Sequence, residues 1–228
     1  MEEGTVTNRD AAIARALAFF DDGRFRDRLA DLVAIQSTSQ DPGHEADVWK
    51  YLQEGIAPWI ERMGFTVTIH PNPKPGFGPI LMAERIEDPA LQTILTYGHG
   101  DTVRGLDDQW DAGLKPWELK EVGDRWYGRG TADNKGQHAL NLTALEHVLA
   151  ARGGKLGFNL KLILETSEER GSNGLKEFVA AHAAALAADV LIASDGPRVA
   201  PGIPTVTTGT RGTFHFDLVL DLRPGGVH

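Results

Sequence analysis

Cysteine is absent from the 228 residues, which excludes disulfides, thiolate nucleophiles and cysteine-type structural zinc sites. Any metal must then be held by histidine and carboxylate groups, donors that favour zinc, manganese or cobalt. Positive charge is also short. With 23 Lys+Arg against 32 Asp+Glu the formal net charge is -9, so the electrostatic footprint of a nucleic-acid or anionic-membrane binder is not expected. A basic substrate or a cation suits this balance better. No apolar run reaches membrane-spanning length, because the longest, around Phe178 to Ala193, carries His182 and Asp189. The opening Met1-Glu2-Glu3-Gly4 has neither the basic region nor the apolar segment of an export signal, and a cytoplasmic location is expected. Internal repeats and low-complexity tracts are lacking too.

What is there is a globular pattern, with 41% apolar residues to build a core. Apolar positions recur at helical spacing from about Ala11 to Ile35, with Gly23 separating two helices, and again from about Glu45 to Met63, where Pro58 predicts a kink. Short β-rich runs follow at Thr66 to His70, Pro79 to Arg85 and Gln92 to Gly98. A helix is predicted from about Lys135 to Arg152, then a strand over Phe158 to Glu165, a helix over Leu175 to Leu186 and a buried-type strand over Val190 to Ala193. Strands alternating with helices of this length predict an α/β sandwich around a mostly parallel sheet. From Thr205 to Leu222 the rhythm changes to period two (Phe214, Phe216, Leu218, Leu220), which predicts a strand of another sheet. A lone strand is not a stable unit, so the domain division is placed at residues 1–208 and 209–228, the latter as the start of a smaller α+β domain.

In open α/β sheets the functional crevice lies at the carboxyl ends of the strands. There the chain carries His99-Gly100-Asp101, Ser167-Glu168-Glu169-Arg170-Gly171-Ser172 and Ser194-Asp195-Gly196, while Gly128 to Gly136 sets Asp133 in a glycine-rich turn before a helix. Each alone has a plainer explanation. Asp133 could cap its helix, Glu168-Glu169 could be a solvated acidic first turn, Asp195 could be a turn residue and His99 a satisfied core histidine. Their coincidence at one sheet edge carries the argument. Carboxylates converging on one crevice repel unless some stay protonated or divalent cations sit among them. Two cations sharing a carboxylate would clamp an attacking water and a carbonyl oxygen together.

Those segments, with Tyr97-Gly98-His99-Gly100-Asp101-Thr102-Val103, resemble in order and spacing the signatures of the zinc metallopeptidase family of aminoacylases, succinyl-diaminopimelate desuccinylases, acetylornithine deacetylases and carnosinases. The resemblance spans about residues 25 to 228. It implies a three-layer, phosphorylase/hydrolase-like catalytic domain followed by the beginning of a lid domain. It also implies two zinc ions, with cobalt or manganese as substitutes, and hydrolysis of the amide bond of a dipeptide or N-acyl amino acid. By that resemblance His99 and Asp195 would bind one zinc, Asp133 would bridge both and Glu169 would bind the other. Asp101 would orient His99, and Glu168 would be the general base. The terminal Gly225-Gly226-Val227-His228 is similar to the start of the lid motif whose histidine, here His228, steadies the oxyanion, and homodimerisation through the lid is implied. Family members continue to a second zinc-binding histidine, and this chain has no such segment. His44, His70, His138, His147, His182 and His215 lie off the strand ends, where core or surface roles are expected.

Two rivals come from other classes. One is a metal-binding or assembly protein of the same fold without turnover, for which the missing second histidine speaks. The other is a nucleotide-binding α/β domain, suggested by Gly128, Gly130 and Gly136 before a helix. The glycine spacing fits neither the dinucleotide nor the phosphate-loop pattern, and an acid stands where phosphate would approach.

Overall fold

The computed structural model describes residues 8–196, 198–200, 202–209, 212, 214, 216 and 218–220. A compact unit ends at Asp195, and Gly196–His228 form a second. The first unit begins with helices α1 (Asn8–Asp21) and α2 (Arg24–Ala34), separated by Gly23 in the left-handed region at φ 84°. The next helical stretch is α3 (Glu45–Lys50), a π-helical segment (Tyr51–Ile56) and α4 (Ala57–Arg62). Instead of a simple kink at Pro58, the ladder takes one extra residue, and the Ala57 N–H reaches back to Leu52 O. Proline cannot donate to the preceding turn, and the wider π turn accommodates that loss.

The strands are β1 (Thr66–His70), β2 (Ile80–Arg85), β3 (Thr93–His99), the hairpin β4 (Lys120–Val122) and β5 (Arg125–Tyr127), β6 (Asn159–Glu165) and β7 (Val190–Ala193). The helices α5 (Lys135–Ala151), α6 (Leu175–Ala181) and α7 (Ala183–Leu186) complete the unit. The main sheet has the order β1-β2-β6-β3-β7. β3 is parallel to both β6 and β7, and β2 is antiparallel to β6 and to β1, so β2 alone runs against the other strands. The carboxyl ends of β6, β3 and β7 therefore emerge side by side.

Strand alternation sorts the core into two layers. Leu81, Ala83, Leu160, Leu162 and Leu164 point to the face covered by α1, α2, the α3–α4 stretch and α5, together with Tyr51, Leu52, Ile56 and Ile60. Ile80 and Ile163 point the other way, against Phe178 of α6 and Leu186 of α7. Each fully buried aliphatic side chain contributes about 1.5–3 kcal/mol to holding these layers, which makes the sheet a stiff base for its rim.

Three differences from the sequence expectations have physical causes. The helix expected over Leu175 to Leu186 is interrupted at His182, whose ring and backbone N–H both engage Phe178 O. The hairpin β4–β5 was not anticipated, although its two-residue Gly123-Asp124 loop, with Gly123 at φ 63°, is a hairpin signal. Strand β7, expected to be buried, has Val190, Leu191 and Ile192 at 47%, 62% and 50% exposure. It is an edge strand, paired only with β3, and among the described residues no layer covers it.

The second unit has a turn closed by Ile203 N–H donating to Ala200 O at 3.0 Å. Phe214, Phe216, Leu218, Val219 and Leu220 are exposed, and no described residue between 205 and 220 belongs to a strand. The alternating pattern is present, but a strand exists only where a partner supplies hydrogen bonds. No described helix is long and apolar enough to cross a membrane.

Candidate metal centre

The rim is built in two tiers. The inner tier is buried. Asp101, just past β3, has no exposed side-chain surface and acts as a hub. Its Oδ2 accepts Ser39 Oγ at 2.6 Å and the Glu169 N–H at 3.1 Å, while Oδ1 accepts the Glu168 N–H at 3.2 Å. It thus holds the otherwise unsatisfied amino end of the 3₁₀ turn Glu168–Arg170. Gly171, left-handed at φ 82°, ends that turn. His99, the last residue of β3, is also fully buried. Its Nδ1–H donates to the backbone O of Asp101 at 3.0 Å, with the Asp101 carboxylate at 3.3 Å. That contact directs Nε2 outward.

The outer tier faces Nε2. Asp133 Oδ1 lies 3.0 Å from it, and Glu168 Oε2 and Asp195 Oδ2 each lie 3.8 Å away. Asp133 does not cap α5, since the capping position belongs to Asn134 and Asp133 has a side chain 66% exposed. The Asp133–Asn134 peptide is cis. Donor atoms of His99, Asp133 and Asp195 lie within 4.8 Å of one another, as do those of His99, Glu168 and Glu169.

Electrostatics divides the tiers further. Burial raises the Glu169 carboxyl to about 7, helped by the negative Asp133. Burial also raises Glu168 and Asp195, against the pull of the positive His99 and with the push of neighbouring acids. For His99 burial works downward, but the hydrogen bond and charge of Asp101, with Asp195 and Glu168, lift it to about 9. An imidazole surrounded by carboxylates that resist ionising is a donor set under charge conflict, which a divalent cation relieves. Imidazole with two carboxylates is an ordinary ligand set for zinc, manganese or cobalt. The residues therefore fit a divalent cation.

His99, Asp101, Asp133, Glu168, Glu169 and Asp195 meet at this rim, as the sequence pattern anticipates. His228 and His215 lie outside the described residues. The other described histidines do not join this group: His44 pairs with Asp47, His147 packs on Phe19, His70 meets Phe178 edge-on, His182 stacks on Phe178, and His138 is buried beneath the rim beside Tyr51. Sequence reasoning passed over Ser39 and Glu165. Glu165 is fully buried at the end of β6, and its Oε1 accepts Tyr97 OH at 2.8 Å and Ser172 Oγ at 2.7 Å. A charged residue closing an otherwise apolar strand was the available signal.

The sequence profile of peptidase family M20/M25/M40 matches residues 95–217, more than half of the chain. The chain belongs to that family. Among curated relatives, a cysteinylglycine-S-conjugate dipeptidase of Corynebacterium striatum is 36% identical over 207 residues, covering 90% of this chain and 44% of the relative. A Beta-Ala-His dipeptidase of Homo sapiens is 31% identical, covering 90% and 42%. The crystal structure of human carnosine dipeptidase 1 superposes with a TM-score of 0.75 at 28% identity, over 83% of this chain and 42% of that one. The chain thus spans less than half the length of these relatives.

Proposed function

We propose that the chain carries the catalytic rim of a metal-dependent hydrolase that cleaves the amide bond of a dipeptide or N-acyl amino acid. The observation that carries this is the convergence of Asp133, Glu168 and Asp195 on Nε2 of His99, with Glu169 clustered beside Glu168 and the same imidazole. Family membership and the dipeptidase names of the relatives support the reaction class and favour a dipeptide. His99, Asp133 and Asp195 would hold one divalent cation, and Asp133 with Glu169 would hold a second, with zinc as the expected metal. When bound, such cations supply Lewis acidity toward a carbonyl and a water. Glu168, with its carboxyl raised and its backbone tied to Asp101, is suited to take a proton from the attacking water and return it to the departing amine. Asp101 orients His99. A lid domain beginning near Gly209, its His228 at the oxyanion, and homodimerisation through the lid belong to the same reading.

The test is hydrolysis of a panel of dipeptides and N-acyl amino acids by the zinc-loaded protein. Glu168→Ala should lower turnover by about 10²–10⁴-fold while metal content stays near that of the parent. Unchanged hydrolysis by Glu168→Ala removes that residue from its role. One observation favours a second reading, a metal-binding chain of this fold without turnover: among the described residues both candidate groups share a single imidazole, that of His99. Bound metal with no hydrolysis of any compound in the panel selects it.

A further inference from the structure

Asn134, the first residue before α5, is fully buried directly beneath the rim. A carboxamide offers two acceptor positions on Oδ1 and two donor hydrogens on Nδ2. In Asn134 all of them face partners. Oδ1 accepts the His99 backbone N–H at 3.1 Å and lies 3.3 Å from His138 Nδ1, while Nδ2 donates to Ser194 O at 2.7 Å and to Gln137 Oε1. Exchanging oxygen and nitrogen would set N–H against N–H and carbonyl against carbonyl, so one orientation is selected. His138 is held neutral, pushed down to about 3 by burial and by the nearby His99 and Lys135. With Tyr51 OH donating to Nε2, the ring hydrogen sits on Nδ1, pointed at Asn134.

The place where this amide acts is where the sheet stops. The regular β3–β7 register ends at Tyr97↔Ala193, and the next contact, Ser194 N–H to Tyr97 O, has lengthened to 3.4 Å. Beyond that point the ladder no longer fixes the separation of His99 from Asp195. Asn134 bridges the gap, binding the backbone of His99 on one side and the carbonyl that precedes Asp195 on the other. Gly98 makes room for it, because a Cβ there would stand 2.9 Å from Asn134 Oδ1. The third potential ligand, Asp133, is its covalent neighbour.

Granting the metal-centre reading above, we infer that Asn134 is a positioning residue that holds His99, Asp133 and Asp195 at the spacing one divalent cation requires. It touches neither metal nor substrate, and acts through the backbone of the residues that do.

Cobalt(II) is the probe, because its visible absorption reports coordination geometry as well as occupancy. Metal-free parent, Asn134→Ala and Leu142→Ala would be titrated with cobalt, and their metal-free melting temperatures measured. Leu142 is buried on the same helix and controls for loss of stability alone. Asn134→Ala should weaken cobalt binding by about 10–100-fold and alter the spectrum, whereas Leu142→Ala should lower the melting temperature and leave both cobalt readouts unchanged. Parent-like affinity and spectrum in Asn134→Ala overturn the inference, and so does equal weakening in the two variants. If Asn134→Ala does not fold, Asn134→Asp decides, since it keeps the size and the acceptor but turns an oxygen toward Ser194 O. Weaker binding despite the added negative charge supports the role, and equal or tighter binding overturns it. Failure of the parent itself to take up cobalt removes the metal-centre reading and this inference together, an outcome distinct from parity between parent and variant.

Discussion

Aspartate stands in both the inner and the outer tier of the rim and behaves oppositely in the two. Asp101 and His99 are fully buried, and their polar groups are matched to backbone and side-chain partners. Asp133, Glu168 and Asp195 are partly exposed and crowd one another around the His99 ring they share. A buried carboxylate with several donors serves the fold, whereas a crowded cluster of acids carries a charge conflict that a cation would relieve.

The largest effect is expected from His138, buried beneath both tiers beside Asn134. Burial holds His138 at about 3, below its ordinary value of 6.5. A depressed histidine leaves stability complete above pH 6.5 and removes it as pH falls toward 3, a loss of as much as about 5 kcal/mol. Urea midpoints measured across that window should fall for the parent, and the fall should be much shallower in His138→Gln. Equal slopes would mean His138 titrates normally. Next in size, Asp101→Ala should cost about 3–5 kcal/mol in urea unfolding, because it strands the buried His99 and frees the Glu168–Arg170 turn. A loss below 1 kcal/mol, about what an exposed ion pair contributes, would place Asp101 outside the buried tier.

The outer tier should respond to cations instead. Zinc at about 100 times its dissociation constant should stabilise the protein by roughly 2.7 kcal/mol, read as a raised melting temperature. A chain whose melting temperature ignores zinc, cobalt and manganese has only a solvated acidic rim. The smallest effect concerns repulsion. Glu169 has a folded value raised to about 7, so its stability contribution is present at low pH and lost as pH rises through that value. Glu169→Gln should therefore make the metal-free protein more stable at pH 8 by about 1 kcal/mol or less after solvent screening, and should leave it unchanged at pH 4.

Much of the fold was legible because its signals are local. Strand β1 and strand β7 occupy the residues that period and β-branching indicate, and the helix pattern of α5 begins where Asn134 and Lys135 follow a glycine-rich turn. Burial of β7 was not legible, since an apolar run looks the same whether a layer covers it or leaves it at an edge. The acids of the rim were legible by their position at strand ends and, for Asp133, in the glycine-rich turn before α5. Their division into tiers was not: Asp101 and Asp133 are both aspartates in glycine-bearing loops, and only one of them is buried. Asn134 was overlooked because a neutral amide beside an acid carries no chemical signature until its partners are in place.

By itself, the order of residues determined which side chains could serve as ligands, that they would have to be imidazole and carboxylate, and that they would fall at the ends of β3, β6 and β7 and in the turn before α5. Tertiary structure alone decided which of them are buried and matched, which face Nε2 of His99, and what holds β3 and β7 apart once their ladder ends. Ligand chemistry belongs to single residues and is written in their identities. Spacing and charge conflict belong to pairs far apart in the chain, such as His99 and Asp195, and come into being only when the sheet brings those residues together.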